Sequence, residues 1–99
     1  MTQSSIEGGC LCGAVRYRVS GAASHPVVCH CESCRRACGA QVVAWVTFPV
    51  EQFRFATGHP IEYQSSSPVK RTFCGRCGTS FTYQHTNTPE EIDITTASL

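Results

Sequence analysis

The sequence predicts an all-β domain, small and zinc-stapled, and three observations carry that prediction. Apolar and polar residues alternate with a period of two along most of the chain. No window carries a convincing period of 3.6 residues, so long helices are not expected. Eight cysteines sit in 99 residues, in a chain that buries only about 60–65% of the surface its unfolded form exposes and needs a staple. The whole chain, 1–99, reads as one domain, with residues 1–8 as a flexible N-terminus.

The elements follow in order. Val15, Tyr17 and Val19 alternate with Arg16, Arg18 and Ser20, which is the pattern of a half-buried strand. His25 precedes Pro26 and reads as a loop. Glu32 to Ala37 has room for one helical turn. Val42 to Phe48 is β-branched and aromatic, and Pro49 ends it. Trp45 within it reads as core. Phe53 and Phe55 alternate with Arg54 and Ala56 before Gly58-His59-Pro60 turns the chain. Ile61 to Gln64 and Val69 to Phe73 flank a Ser-rich turn ending in Pro68. Thr79 to Gln84 and Ile92 to Thr95 complete seven or eight short strands. The cysteine pairs fall in loops at strand ends.

Composition excludes several classes. Net charge is +1 with only 15% of residues charged, so the basic excess of a non-specific nucleic-acid binder is missing. No apolar run approaches the ~20 residues of a membrane helix. The N-terminus has neither the positive nor the apolar region of a secretory signal. A cytoplasmic, reducing location is expected, which favours metal ligands over disulfides. The last residues, 96–99, directly follow a strand, and two readings stay open: a naturally short form, or further C-terminal sequence. An exposed edge strand makes a homodimer a further expectation.

Cys10-x-Cys12 and Cys74-x2-Cys77 are two knuckles, each offering two sulfurs from a glycine-bearing turn. Four thiolates in a tetrahedron make a closed structural zinc site. Clipping the stretch between them removes loop entropy from the unfolded chain. The alternatives are buried free thiols or a disulfide pair; a disulfide within Cys10-x-Cys12 would be strained, and a redox pair at Cys74-x2-Cys77 lacks a surrounding βαβ pattern.

Cys29, Cys31 and Cys34 have a C-x-C-x2-C spacing that wraps three sulfurs round one ion. Three protein ligands leave a position for water or substrate, the layout of a catalytic zinc. The alternatives are a second closed site, with Cys38 or His30 as fourth ligand, and a thiol cluster without metal. Arg35 and Arg36 follow directly and suit a substrate carboxylate, or form a solvated turn. His30 suits a proton carrier or a partner to the ligands, or packs structurally. His59 and His85 read as surface. Lys70 and Arg71 favour an anionic ligand, or are charges on an edge strand.

Gly9-Cys10-Leu11-Cys12-Gly13, then Cys29-His30-Cys31-Glu32-Ser33-Cys34-Arg35-Arg36, then Phe73-Cys74-Gly75-Arg76-Cys77-Gly78 resembles the glutathione-dependent formaldehyde-activating enzyme family, which includes centromere protein V. The resemblance runs from about Gly9 to Leu99. It implies a β-tent fold, a structural zinc at Cys10, Cys12, Cys74 and Cys77, and a second, more labile zinc at Cys29, Cys31 and Cys34. The implied activity joins glutathione to formaldehyde, giving S-hydroxymethylglutathione, as a carbon–sulfur lyase acting in reverse. Cys38 stands where a small hydroxyl residue is expected, which is why it is weighed as a closing ligand. A non-catalytic zinc module and a thiol redox or metal-handling protein are the rival functions.

Overall fold

Two antiparallel sheets and one short helix build the domain, in a computed structural model that describes residues 5–99. The first sheet has the order β1-β2-β5, from Ser5–Gly9, Arg16–Ser20 and Phe53–Thr57. The second has six strands in the order β3-β4-β9-β8-β7-β6. Their ranges are β3 Ser24–Cys29, β4 Val43–Pro49, β6 Ile61–Ser66, β7 Val69–Phe73, β8 Ser80–His85 and β9 Glu91–Thr95. The helix α1, Glu32–Cys38, lies between β3 and β4 in sequence. Among the described residues no helix is long and apolar enough to cross a membrane.

The alternation in β2 does what its period requires. Tyr17 and Val19 are buried while Arg16 and Arg18 face water. Tyr17 then meets aromatic rings from both sheets: Phe53 at 5.1 Å, Phe81 at 6.0 Å and Phe55 at 6.3 Å between centroids. Tilted and edge-on pairs of this kind contribute beyond the area they bury. Val15, Phe48, Ile92 and Ile94 complete this core, and Cys10 and Cys74 belong to it. The first cysteine group is thus rooted in the main core.

Four expectations need correction. Residues 5–8, expected to be flexible, pair with β2 from Ser5↔Ser20 through Gly8↔Tyr17; residues 1–4 of that stretch lie outside the described residues. His25 is in an edge strand, β3, rather than a loop. It takes a left-handed φ of 49°, and the register shifts between Ser24 and Val27, so Pro26 falls at a bulge where its missing N–H is tolerated. Among the described residues there are nine strands, one more than the expected upper count. Arg71 is not an edge charge: β7 lies between β6 and β8, and Arg71 is buried there. Lys70, on the opposite face, is exposed and pairs with Glu62 across β6 at 3.7 Å.

Candidate metal centres and the adjoining cavities

The first cysteine group is assembled by two turns. After β1, the N–H of Gly13 bonds to the Cys10 carbonyl at 3.2 Å, with Gly13 at φ 82°. After β7, the N–H of Gly78 bonds to the Cys74 carbonyl at 2.8 Å, with Gly78 at φ 83°. Both backbones need the left-handed region that glycine supplies without a Cβ clash. The turns aim N–H groups at sulfur: Val15 at Cys10 (3.3 Å), and Arg76 and Cys77 at Cys74 (both 3.4 Å). Such donors stabilise thiolate charge.

The sulfurs of Cys10, Cys12, Cys74 and Cys77 all lie within 4.8 Å of one another. Cys10 and Cys12 are 3.6 Å apart, and Cys12 and Cys74 are 3.8 Å apart. All eight cysteines are free. A tetrahedron with zinc–sulfur bonds of about 2.3 Å has sulfur–sulfur edges of ~3.8 Å. The spacing and the four-sulfur donor set therefore fit a closed zinc site. Cys77 is lowered to about 5, first by the hydroxyl of Thr79, which is 3.2 Å from its sulfur, and then by the Thr79 backbone N–H.

The second group is built by the end of β3 and the start of α1. Cys29 ends the strand, Cys31 caps the helix, and Cys34 lies one turn on; their sulfurs also fall within 4.8 Å of one another. The Cys31 sulfur accepts the N–H of Cys34 at 3.3 Å, the hydrogen bond of an N-cap. That contact is the largest cause lowering the Cys31 thiol to about 7. Cys34 is raised to about 12, first by burial and then by the neighbouring Cys31. Three sulfurs from a cap and a strand end, with a buried member, fit a three-coordinate metal site with a position left for another ligand.

Cys38 does not join this group of three sulfurs; it is half-buried at the far end of α1. His30 is exposed, and its carbonyl accepts the Arg35 Nε–H at 3.0 Å. Arg35 is thereby turned toward its own loop. Arg36 is mostly in solvent and pairs with Glu32 at 3.7 Å on the helix surface.

The residue that sequence reasoning misplaced is Arg71. Its Nη1 and Nη2 donate to the Cys34 sulfur at 3.8 and 3.7 Å, and its Nε donates to Ser65 Oγ at 3.0 Å. The guanidinium also covers the Tyr83 ring, 5.0 Å from its centroid. The signal was present: Arg71 shares a strand face with Val69, which is buried too. Trp45 is core, as expected, packing with Cys34 and Val43 and tilted against Tyr83 at 5.9 Å.

Two cavities meet at this point. One, of about 350 Å³, is lined by Cys29, Cys31 and Cys34 with Tyr83. The other, of about 430 Å³, is lined by Arg36, Cys38, Tyr63 and Thr72. Ser33, Trp45, Ser65 and Arg71 wall both. The arrangement can present a sulfur-bound metal to a small molecule beside a buried cation.

The fold and the two thiol groups define a small all-β domain of the twin cysteine-site type. A family profile described as "Glutathione-dependent formaldehyde-activating enzyme" matches residues 5–99, and the chain belongs to that family. An uncharacterised lyase of Schizosaccharomyces pombe is 34% identical over 83 residues, covering 82% of this chain and 58% of its own length. A relative from Halomonas elongata, whose provisional name is glutathione-dependent formaldehyde-activating enzyme, is 34% identical over 76% of this chain and 53% of its own. The chain thus spans a little over half the length of these curated relatives. A Rhodobacter sphaeroides protein of known crystal structure is similar with a TM-score of 0.77 and 31% identity, over 95% of this chain and 87% of that one.

Proposed function

We propose that this chain is a zinc-dependent enzyme of carbon–sulfur chemistry, joining a thiol such as glutathione to an aldehyde such as formaldehyde, or cleaving the adduct. The observation that carries the reading is the group of Cys29, Cys31 and Cys34, three sulfurs facing a cavity with Cys38 outside the group. The family description supports the choice of thiol and aldehyde. In the forward direction the thiol sulfur bonds to the aldehyde carbon, the carbonyl π-bond breaks, and the thiol proton ends on the new hydroxyl oxygen.

Each part of the chain has a task. Cys10, Cys12, Cys74 and Cys77 hold a structural zinc that ties the ends of β1 and β7 to the main core. Cys29, Cys31 and Cys34 hold the second, more labile zinc as the reactive centre. When bound there, zinc supplies a Lewis acid that favours a substrate thiolate at neutral pH. Arg71 keeps the Cys34 sulfur oriented and offsets thiolate charge. Tyr83 lines the cavity as a protonated, hydrogen-bonding phenol, and burial moves it further above its ordinary value. Thiolate ligands require reduced cysteines, which supports a cytoplasmic setting.

The test begins with zinc per chain and its release to a mild chelator. Two zinc ions are expected, one released early and responsive to glutathione. Cys38→Ser is expected to retain both. Two equally tight ions, or loss of zinc in Cys38→Ser, would sink the open-site reading. Acceleration of the glutathione–formaldehyde exchange, followed by NMR, tests the reaction directly.

A further inference from the structure

We infer that Arg71 is a specificity-determining residue, and that the 430 Å³ cavity is the subsite for a carboxylate carried by the thiol substrate. The inference rests on the thiol-handling reading above and names which thiols the site prefers.

The argument starts from the donors of a guanidinium. Arginine carries five N–H groups and accepts nothing. In Arg71, Nε uses one on Ser65, and Nη1 and Nη2 each use one on the Cys34 sulfur. One N–H on each terminal nitrogen remains. Arg71 is only 7% exposed, and among the described residues the ion pairs are Arg18–Glu7, Arg36–Glu32 and Lys70–Glu62. A buried cation with no carboxylate partner is costly unless another anion meets it. Metal-bound thiolates at the second group would be one such anion, and they would account for the Cys34 contacts. They do not explain why the same guanidinium walls a second, larger cavity that Cys29, Cys31 and Cys34 do not line.

That second cavity has the character of a subsite for an amino-acid-like group. Trp45 and Tyr63 give it apolar faces, and Ser33, Ser65, Ser80 and Thr72 give it hydroxyls. Its volume lies within the range of small-molecule sites. It adjoins the sulfur group through Ser33, Trp45, Ser65 and Arg71. A thiol entering at the sulfur group can therefore extend its carboxylate-bearing part past Arg71. Arg36 also lines this cavity, but it stands in water and already faces Glu32. Charge–charge attraction is weak there and much stronger at the buried Arg71.

The experiment uses the cobalt-loaded full chain, whose sulfur-to-cobalt absorption reports thiol binding at the second group without turnover. It is titrated with glutathione, with glutathione diethyl ester and with 2-mercaptoethanol. In the parent protein glutathione is expected to bind about tenfold or more tightly than its ester, the size of a charge-assisted hydrogen bond. Arg71→Met is expected to bring the two together, and 2-mercaptoethanol, which has no carboxylate, reports separately how far losing the Cys34 contacts weakens thiol binding as such. Arg71→Lys keeps the charge without the fork and is expected to retain part of the preference; it carries the test if Arg71→Met does not fold. Arg36→Ala is expected to keep the preference. Equal binding of glutathione and its ester by the parent overturns the inference, as does an undiminished preference in Arg71→Met or in Arg71→Lys, or loss of the preference in Arg36→Ala. No response to any of the three thiols removes the thiol-handling reading and this inference with it.

Discussion

The hydroxyl oxygen of Thr79 lies 3.2 Å from the sulfur of Cys77 and accepts the backbone N–H of Leu11 at 3.1 Å. Leu11 belongs to the first knuckle and Cys77 to the second, so one side chain joins both halves of the four-cysteine group. Accepting from Leu11 leaves the hydroxyl hydrogen to point at the Cys77 sulfur, consistent with the low value of that thiol. Thr79→Val keeps the shape and deletes the hydroxyl. Metal affinity at the first group is expected to fall by about tenfold or more, the usual consequence of losing a partner to a metal ligand. Competition with a chromogenic chelator measures it, and the second group should be unaffected.

Metal removal should separate the two groups. Cys74 is 1% exposed and packs in the same core as Phe81 and Ile94. Structural zinc contributes about 10–16 kcal/mol in small peptides, comparable with the ~5–15 kcal/mol stability of a whole domain. Cys74→Ser is therefore expected to be unfolded at 25 °C by circular dichroism. Cys29→Ser, at the end of an exposed edge strand, is expected to stay folded with one metal fewer. Melting of Cys74→Ser at the parent temperature would remove the structural role of the first group.

Metal uptake at the second group should release protons in a pH-dependent number. Cys34, at about 12 without metal, is protonated at pH 8 and must lose its proton to bind. Cys31, at about 7, is already mostly thiolate at pH 8 and mostly thiol at pH 6. Affinity is thus expected to fall as pH falls, and more steeply below pH 7, where one more proton must leave. Calorimetry in buffers of different ionisation enthalpy counts the protons; a count that does not rise between pH 8 and pH 6 contradicts the assignment.

Tyr17 carries a further measurable contact. Its Oη is 2.7 Å from Ser98 Oγ, and Ser98 Oγ donates to the Thr95 carbonyl at 2.9 Å. The phenol therefore donates to Ser98 and ties the first sheet to the end of β9. Tyr17→Phe removes the hydrogen bond and keeps the ring, at an expected cost of about 1 kcal/mol. Tyr17→Ala also opens the aromatic cluster and is expected to cost about 3–5 kcal/mol. Urea unfolding with an unchanged slope checks both.

Local pattern made most of the fold legible. Tyr17 and Val19 in β2, the run Val43–Pro49 and the alternation at Ile92 and Ile94 identify strands without any partner in view, because period two is a property of the chain itself. The strand β1 was not legible: Ser5–Gly9 ends in two glycines, has little apolar pattern, and is a strand only because β2 pairs with it. The strand β3 was hidden by His25 and Pro26, whose loop-like signature turned out to mark a bulge at a sheet edge.

The sequence by itself determined the all-β class and the two cysteine groups, because strand periodicity and knuckle spacing are short-range features. The resemblance of its three motifs points to the family from sequence alone. Only the tertiary structure decided that Cys38 stands apart from the three-sulfur group, that Arg35 turns to the His30 carbonyl, and that Arg71 is buried against Cys34. Burial is decided by what packs on either side of a strand. The six-strand order puts β7 inside the sheet, and α1 brings Cys34 to Arg71 from 37 residues away in sequence.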